Sequence, residues 1–414
     1  MNKYLIIIAI LIPGLLSAQK NSQWRGENRD GVYNETGLLK EWPTNGPQLV
    51  WKYEGVGDGH TSVAIANGKI YINGMHGDKL MLYVFDMSGK LLTQKEIGKE
   101  WNVNHNGTRS SVCINDGKLY IFNALGTLFC LDETTLNEVW KKDLLNDFDG
   151  RNLRWGMTEN PLIVGDKIFL TPGGVKHNMV ALNKNTGELI WSSPGEGTTS
   201  SYCSPLYISG YSVPMVVTWM AAAKSGGRGV PNDNKLVAFN AETGALIWSH
   251  ILQSGNTINP NTPIYSDGLI FASTGYGGGS WQLRLKEGGK AVEQVWHNSG
   301  ADNCHHGPVK VGNYVYSTAQ NGRGFYCIDW KTGETKYRDI TFTQSSMIYA
   351  DGMIYAYSDN GNMNLIKPNP DKFEIVSRFQ VTPGEGPHWA HPVIHNGILY
   401  IRHGNALMAY KVMQ

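Results

Sequence analysis

The 414-residue chain is short of charge and of cysteine, and it has no long apolar run beyond its first residues. Charged residues make up 17% of the chain, below the roughly 25% of an average globular protein. Lys+Arg 36 against Asp+Glu 35 leaves a formal net charge of +1 with no basic run. That balance argues against a nucleic-acid partner, whose affinity comes from neutralised phosphates. The hydrophobic share of 41% excludes a disordered chain. The five cysteines, Cys113, Cys130, Cys203, Cys304 and Cys327, form no C-x-x-C pair. Nothing in their spacing suggests zinc, and an odd number leaves at least one thiol free. Cys130 and Cys327 occupy the place that Ala181 and Ala238 hold in other repeats, as small buried residues do.

Lys3, the apolar stretch from Tyr4 to Leu16 and the small residues Leu16-Ser17-Ala18 read as a cleavable leader over 1–18. The stretch falls short of the about 20 residues of a membrane span, and nothing later approaches one. No cysteine near the cleavage point offers a lipid anchor. A periplasmic or secreted protein without a transmembrane segment is expected, working as a monomer.

Abundant glycine (49), tyrosine (20) and tryptophan (13) point to tight turns and aromatic-rich strands. These residues recur with a period: strand, Asn-Gly or Asp-Gly turn, strand, variable loop, strand, Thr-Gly turn, and a strand often ending in Trp. Gly68, Gly117, Asp166, Gly210, Gly268, Asn313, Gly352 and Gly397 mark eight repeats, with successive spacings of 49, 49, 44, 58, 45, 39 and 45. That is the length of a four-stranded propeller blade. The last repeat lacks its fourth strand, which Gln48 to Tyr53 can supply, closing the ring and hiding the sheet edges. The expected architecture is all-β, an eight-bladed propeller over 48–414, with 19–47 as an arm laid over the outside. The longest interval carries a Gly/Ser-rich loop from Ala221 to Asn234 that should overhang one face.

Two segments carry a family likeness, Ala181-Leu182-Asn183-Lys184-Asn185-Thr186-Gly187-Glu188-Leu189-Ile190-Trp191 and Ala238-Phe239-Asn240-Ala241-Glu242-Thr243-Gly244-Ala245-Leu246-Ile247-Trp248. They resemble the tryptophan-docking motif of quinoprotein (PQQ-repeat) propellers, which the BamB-like outer-membrane assembly factors share. The opening Trp24-Arg25-Gly26-Glu27-Asn28-Arg29-Asp30-Gly31 resembles secreted Bacteroidetes members of the same repeat family. The resemblance covers nearly the whole mature chain and implies the fold; it does not fix an activity.

Aligning the repeats on Val63, Val112, Pro161, Pro205, Pro263, Pro308, Met347 and Pro392 exposes a column three residues earlier: His60, Arg109, Thr158, Tyr202, Pro260, His305, Gln344 and Trp389. Neighbouring columns add Glu159, Asn259, Asn261, His306, His388 and His391. Loops on the same face add His76, His177, Trp219, Tyr276, Trp281, Arg323 and His403. A lone histidine is ordinarily a satisfied structural residue, and Trp219 and Trp281 also suit loop packing. The concentration on one face is what asks for a functional pocket.

Aromatic rings beside Arg, His and Asn suit a carbohydrate, and arginine grips anions bidentately. Tyr202, His305, His306, His60 and Arg109 are the candidate catalytic residues, the tyrosine and histidines as base and acid for a proton alpha to a carboxyl group. Arg154, Glu159, Asn261, Trp219, Trp281, Arg323, Trp389, His391 and His403 are candidates for substrate binding. A divalent metal among the histidines is allowed by residue type, but the spacing is long-range. Three functions follow. The first is an exported lyase or dehydratase acting by β-elimination on an anionic, uronic-acid oligosaccharide of ulvan type, as the resemblance to propellers of algal-polysaccharide degradation implies. The second is a non-catalytic BamB-like scaffold. The third is a PQQ-dependent dehydrogenase, against which stand the absent Cys-Cys pair and the lack of a clear carboxylate set for calcium beyond Glu159 and Asn160.

Overall fold

The computed structural model describes residues 22–223, 232–320 and 324–414, so the leader expected over 1–18, the centre of the Ala221–Asn234 loop and Arg323 lie outside the described residues. Eight sheets surround an axis, antiparallel throughout except where Val32–Tyr33 adds parallel to Tyr349 and Ala350 of one inner strand. Their inner strands are Ala64–Ala66, Cys113–Asn115, Leu162–Val164, Leu206–Ile208, Ile264–Ser266, Val309–Val311, Ser345–Ala350 and Val393–His395, which number blades 1 to 8. Among the described residues the only helical elements are the turn Leu144–Asp147, capped by the Asp143 carboxylate, and the 3-10 turn Glu287–Gly289. No described helix is long and apolar enough to cross a membrane.

The first hairpin of each blade turns where the sequence demands it. Asn67, Asp116, Asp267, Asp351 and Asn396 have φ between 46° and 52°, each followed by a glycine at positive φ. Two consecutive left-handed residues define the type I′ turn and match the strand twist. The second hairpin holds the blades together. A Cβ at Gly187 would strike Trp140, one at Gly244 would strike Trp191, and one at Gly333 would strike Trp296. The bare glycine lets the indole of one blade lie flat on the turn of the next. The Nε1–H then donates to a carbonyl there: Trp140 to Lys184 O at 3.1 Å, Trp191 to Ala241 O at 3.0 Å and Trp296 to Trp330 O at 3.2 Å.

Gln48–Glu54 pairs antiparallel with Ala406–Lys411 and completes blade 8, with Tyr53 opposite Leu407. Trp51 then docks on Gly89 of blade 1, so the same device operates across the closure.

The arm departs from expectation. Only part of it lies outside, where Leu38 bridges Met413 and Trp42 packs on Phe379. Residues 22–31 instead run into the axial channel. Ser22 O accepts from Ile114 N, and Gly31 O from Tyr349 N. Arg29 donates to Asn160 O, Pro161 O and Pro205 O, and Arg25 donates to Pro308 O. Residues in or just before the inner strands of blades 2, 3, 4, 6 and 7 therefore hold one short segment, which only a position on the axis permits. Two buried arginines drive this, because each buried carbonyl at the channel wall needs a donor and a guanidinium supplies up to five.

Candidate functional site

The eight residues of the column meet. His60, Arg109, Thr158, Tyr202, Pro260, His305, Gln344 and Trp389, one from the start of each blade, all line one cavity of about 400 Å³ at the channel mouth. Tyr276 and His391 join them, together with residues the repeat alignment did not single out: Trp24, His105, Trp155, Ser204, Ile258, Cys304, Gln320 and Asp359. The arm closes the axis beneath, so the cavity opens on the loop face.

Three imidazoles surround the Trp389 indole: His60 at 5.0 Å, His105 at 5.2 Å and His305 at 5.2 Å between ring centres. Both ring nitrogens of His60 and Nε2 of His305 are buried without a hydrogen-bond partner. Burial, then the charges of Arg109 and Arg402, pushes His60 down to about 3. Burial and the neighbouring histidines hold His305 well below the usual imidazole range. Both are free bases at neutral pH. Unsatisfied buried nitrogens are uncommon and mark a place where a ligand can supply the missing partner.

Tyr202 sits at φ 68°, a left-handed conformation costly for a side chain of that size. Burial pushes its phenol up to about 12, while backbone N–H groups of Trp155 and Arg154 pull the other way. It keeps its proton at neutral pH and can donate it while its oxygen accepts from the backbone, so the acid role falls to Tyr202 and the base role to histidine.

His305 faces the cavity; His306 does not. The His306 ring is fully buried against His305, with 4.0 Å between ring centres, and its Nε2 meets Asp359 Oδ1 at 3.1 Å. By sequence either histidine is a candidate acid or base; the chain bends through residues 304–306 so that the two rings lie against each other, His305 toward the cavity and His306 behind it on Asp359. Arg109 lines the cavity with most of its guanidinium engaged, donating to Gly107 O at 2.6 Å and to Asn104 O and His105 O at 2.8 Å. It shapes its loop and contributes charge, with less hydrogen-bonding capacity for an anion than a free arginine has.

Several expected binding residues lie elsewhere. Trp219 is mid-strand in Met215–Ala222 and fully buried, packing edge-on against Trp281 at 5.9 Å; Trp281 stacks on His297 at 4.5 Å. Both are core, because their strands run longer than expected and bury them. Glu159 is spent on Thr171, whose N–H and hydroxyl donate to it at 2.9 and 2.6 Å. Asn261 donates to Ser273 Oγ and Asn303 O between blades. His403 stacks on His388 at 3.7 Å and bonds Pro383 O and Gly386 O, anchoring the loop that carries Trp389. Arg154 is exposed outside the lining, over the Trp155 ring at 5.1 Å.

The electrostatics favour an anion. Arg25, Arg29 and Arg402 are buried and bonded chiefly to backbone carbonyls, and no ion pair among the described residues includes an arginine. Burial raises the nearby carboxyls, Glu159 to about 7, which weakens their compensation of that charge. Positive potential focused in a low-dielectric cup attracts negative ligands.

This is the site of an eight-bladed propeller with a blind axial pocket, built from repeats of PQQ type. Residues 78–338 match the family described as outer membrane protein assembly factor BamB, and the chain belongs to that family. BamB of Shewanella oneidensis is 22% identical over 303 residues, 67% of this chain and 69% of that protein. The quinoprotein alcohol dehydrogenase PedH of Pseudomonas putida is 27% identical over 192 residues, 45% of this chain; the match spans 30% of PedH. Among solved structures, BamB from Moraxella catarrhalis aligns over 88% of this chain and 97% of its own, with a TM-score of 0.60 at 14% identity. The quinohemoprotein alcohol dehydrogenase of Comamonas testosteroni aligns over 95% and 80%, with a TM-score of 0.65 at 12% identity.

The dehydrogenase names raise the question of a quinone cofactor, and the residues present do not fit one. A quinone tricarboxylate with its cation needs carboxylate ligands and several free donors. Here Glu159 is consumed by Thr171, Arg109 is largely consumed by its own loop, and no three His, Cys, Asp or Glu among the described residues gather as metal ligands.

Proposed function

We propose that the chain is an exported carbohydrate-active propeller that receives the end of an anionic, uronate-containing oligosaccharide and carries out β-elimination on it. The observation that carries this reading is the unpartnered, neutral His60 and His305 beside the protonated Tyr202 and the Trp389 indole in one anion-attracting cup. His305 takes the proton from C5 as the C4–O bond breaks, and the electron pair forms the C4–C5 double bond. Tyr202 gives its proton to the departing oxygen, so water or an alcohol leaves, and the proton on His305 returns to the tyrosinate through solvent. Arg109, the arginine in the cavity wall, adds positive charge that stabilises the enolate-like carboxyl group. Trp389 and Trp155 offer apolar faces to the sugar. A cup closed below favours a terminal ring, whose C4 hydroxyl leaves as water.

A second reading, a non-catalytic scaffold, is supported by the family and by the 67% and 69% coverage against Shewanella BamB. Incubation with a panel of uronate oligosaccharides, followed by mass detection, separates the two. Elimination gives a product one water lighter, or two fragments, with the ultraviolet absorbance of a conjugated uronate. An unchanged panel, together with co-purification of an outer-membrane assembly complex, decides for the scaffold.

A further inference from the structure

The residues immediately before the eight aligned positions form a ring of their own: Ser62, Ser111, Asn160, Ser204, Thr262, Gly307, Ser346 and His391. Most of them staple one blade to the next. Ser62 N donates to Ser111 Oγ, Ser111 N to Asn160 Oδ1, Asn160 N to Ser204 Oγ and Thr262 Oγ1 to Ser204 O. Ser346 Oγ donates to Trp389 O, and Ser62 Oγ to His391 O. Blade 6 breaks the series, because Gly307 has no side chain. Arg25 of the arm stands in that gap: a Cβ at Gly307 would overlap its Nη1. Its Nη2 donates to Pro308 O at 2.7 Å and Asp30 O at 2.8 Å, and its Nη1 lies 3.3 Å from His391 Nε2. A guanidinium can only donate, so His391 accepts as a neutral ring.

This seating brings Trp24 to the cavity wall, half-buried, edge-on to His391 at 5.3 Å and 5.6 Å from the Arg25 guanidinium. Arg29, at φ 59°, and Gly31, at φ 77°, fold the segment back on itself, with Gly31 N donating to Arg25 O. None of this is needed to close the propeller, which Gln48–Glu54 already does. We propose that residues 24–31 are the floor of the ligand site, with Trp24 the platform on which a sugar ring rests and Arg25 the residue that positions it. The ligand class rests on the reading above; the seating of the segment does not.

The test uses the full chain, titrated with tetrasaccharides containing glucuronate, iduronate or galacturonate. Trp24→Ala weakens binding about tenfold, the loss typical of an aromatic anchor, with unchanged melting temperature. Trp24→Phe keeps a ring and stays within roughly twofold. Arg25→Lys keeps the charge but not the fork; it weakens binding as Trp24→Ala does and speeds hydrogen exchange over 24–31. If Trp24→Ala binds like wild type while Trp389→Ala does not, the platform is disproved and the functional reading stands. If wild type binds no tetrasaccharide, the functional reading fails, and the sugar platform with it. If the amides of 25–31 exchange as fast as exposed loops in wild type, the seating itself is disproved, whatever the ligand.

Discussion

Two rings of residues one step apart on the same eight strand starts have opposite fates. The mouth ring, His60 to Trp389, is mostly half-exposed and leaves nitrogens unpaired at His60 and His305. The ring one residue further in, Thr61, Ser110, Glu159, Cys203, Asn261, His306, Ser345 and Ala390, is buried throughout. Most of its polar atoms are spent on neighbours: Thr61 on Asn73 O, Glu159 on Thr171, Asn261 on Asn303 O and His306 on Asp359. Residue type does not separate the rings, since each holds histidine and polar groups. Access to the cavity does: the whole mouth ring lines it, with the His60 and His305 nitrogens left unpaired there, whereas the inner ring, where Ser110 Oγ and His306 Nδ1 are also unpaired, contributes nothing to its wall.

The comparison is tested most severely at the mouth. His305→Ala and Tyr202→Phe remove the base and the acid, and each should lower turnover by about 10²–10⁴-fold. His305→Ala should hardly move the melting temperature, because its Nε2 has no hydrogen-bond partner to lose, whereas Tyr202→Phe also gives up the contact of its hydroxyl with the Trp155 and Arg154 backbone and should lower it slightly. A parallel fall in activity and melting temperature would put these residues in the structural class. Asn160→Leu probes the stapling residues behind them. It leaves Ser111 N without its acceptor and should cost about 2–3 kcal/mol in denaturant unfolding, the penalty of a buried orphaned donor. A loss of only a few tenths would mean that the staples carry no weight.

Much of the mouth ring was legible because the proline that opens most inner strands fixes a common register, and residues at equal offsets in equivalent blades must converge on the axis. The repeat could not say which neighbour pointed inward, because the bend through residues 304–306 and the Asp359 contact of His306 set the two rings. Residues from loops that share no register were beyond such an alignment, as with Trp155, Tyr202's neighbour at 6.0 Å, and Asp359, which fixes His306. Trp219 was misplaced because strand length, not residue type, decides whether it sits in a loop. The Arg25 and Arg29 pair was the available signal for the seated arm: two arginines in a motif beside glycines, with no acidic run to pair with.

Acid pH sharpens the contrast further. His60, His305 and His391 are neutral in the fold, whereas unfolded imidazoles titrate near pH ~6.5. As pH falls below that value the unfolded state takes up protons that the fold refuses, so stability is lost. Glu100 and Glu159, raised to about 7 by burial, act in the opposite sense. They hold protons in the fold that the unfolded chain lacks until about pH 4.5, so they gain stability as pH falls through that window. Three histidines outweigh two carboxyls, so between about pH 6.5 and 4.5 the unfolding free energy should fall by about 1.4 kcal/mol per pH unit, the net of one proton. Below about pH 4.5 the carboxyl term is exhausted and the fall should steepen roughly threefold. His305→Gln should reduce the steep slope by about 1.4 kcal/mol per pH unit. An unchanged slope would mean that His305 is protonated in the fold and is no free base.

The smallest effect belongs on the opposite face, where the second hairpins lie. Thr186 sits in the turn that Trp140 covers, and its hydroxyl accepts from Glu188 N at 3.2 Å and donates to Glu188 Oε2 at 3.1 Å, all exposed to water. Water replaces both partners when the hydroxyl is removed, so Thr186→Ala should cost a few tenths of a kcal/mol, ~0.5 at most. Ligand binding should be untouched, because docking depends on the bare Gly187 under the Trp140 ring and on Lys184 O, neither of which the substitution alters. A binding defect in Thr186→Ala would mean that strain in one turn reaches the mouth through its blade, and the two faces would no longer be separable.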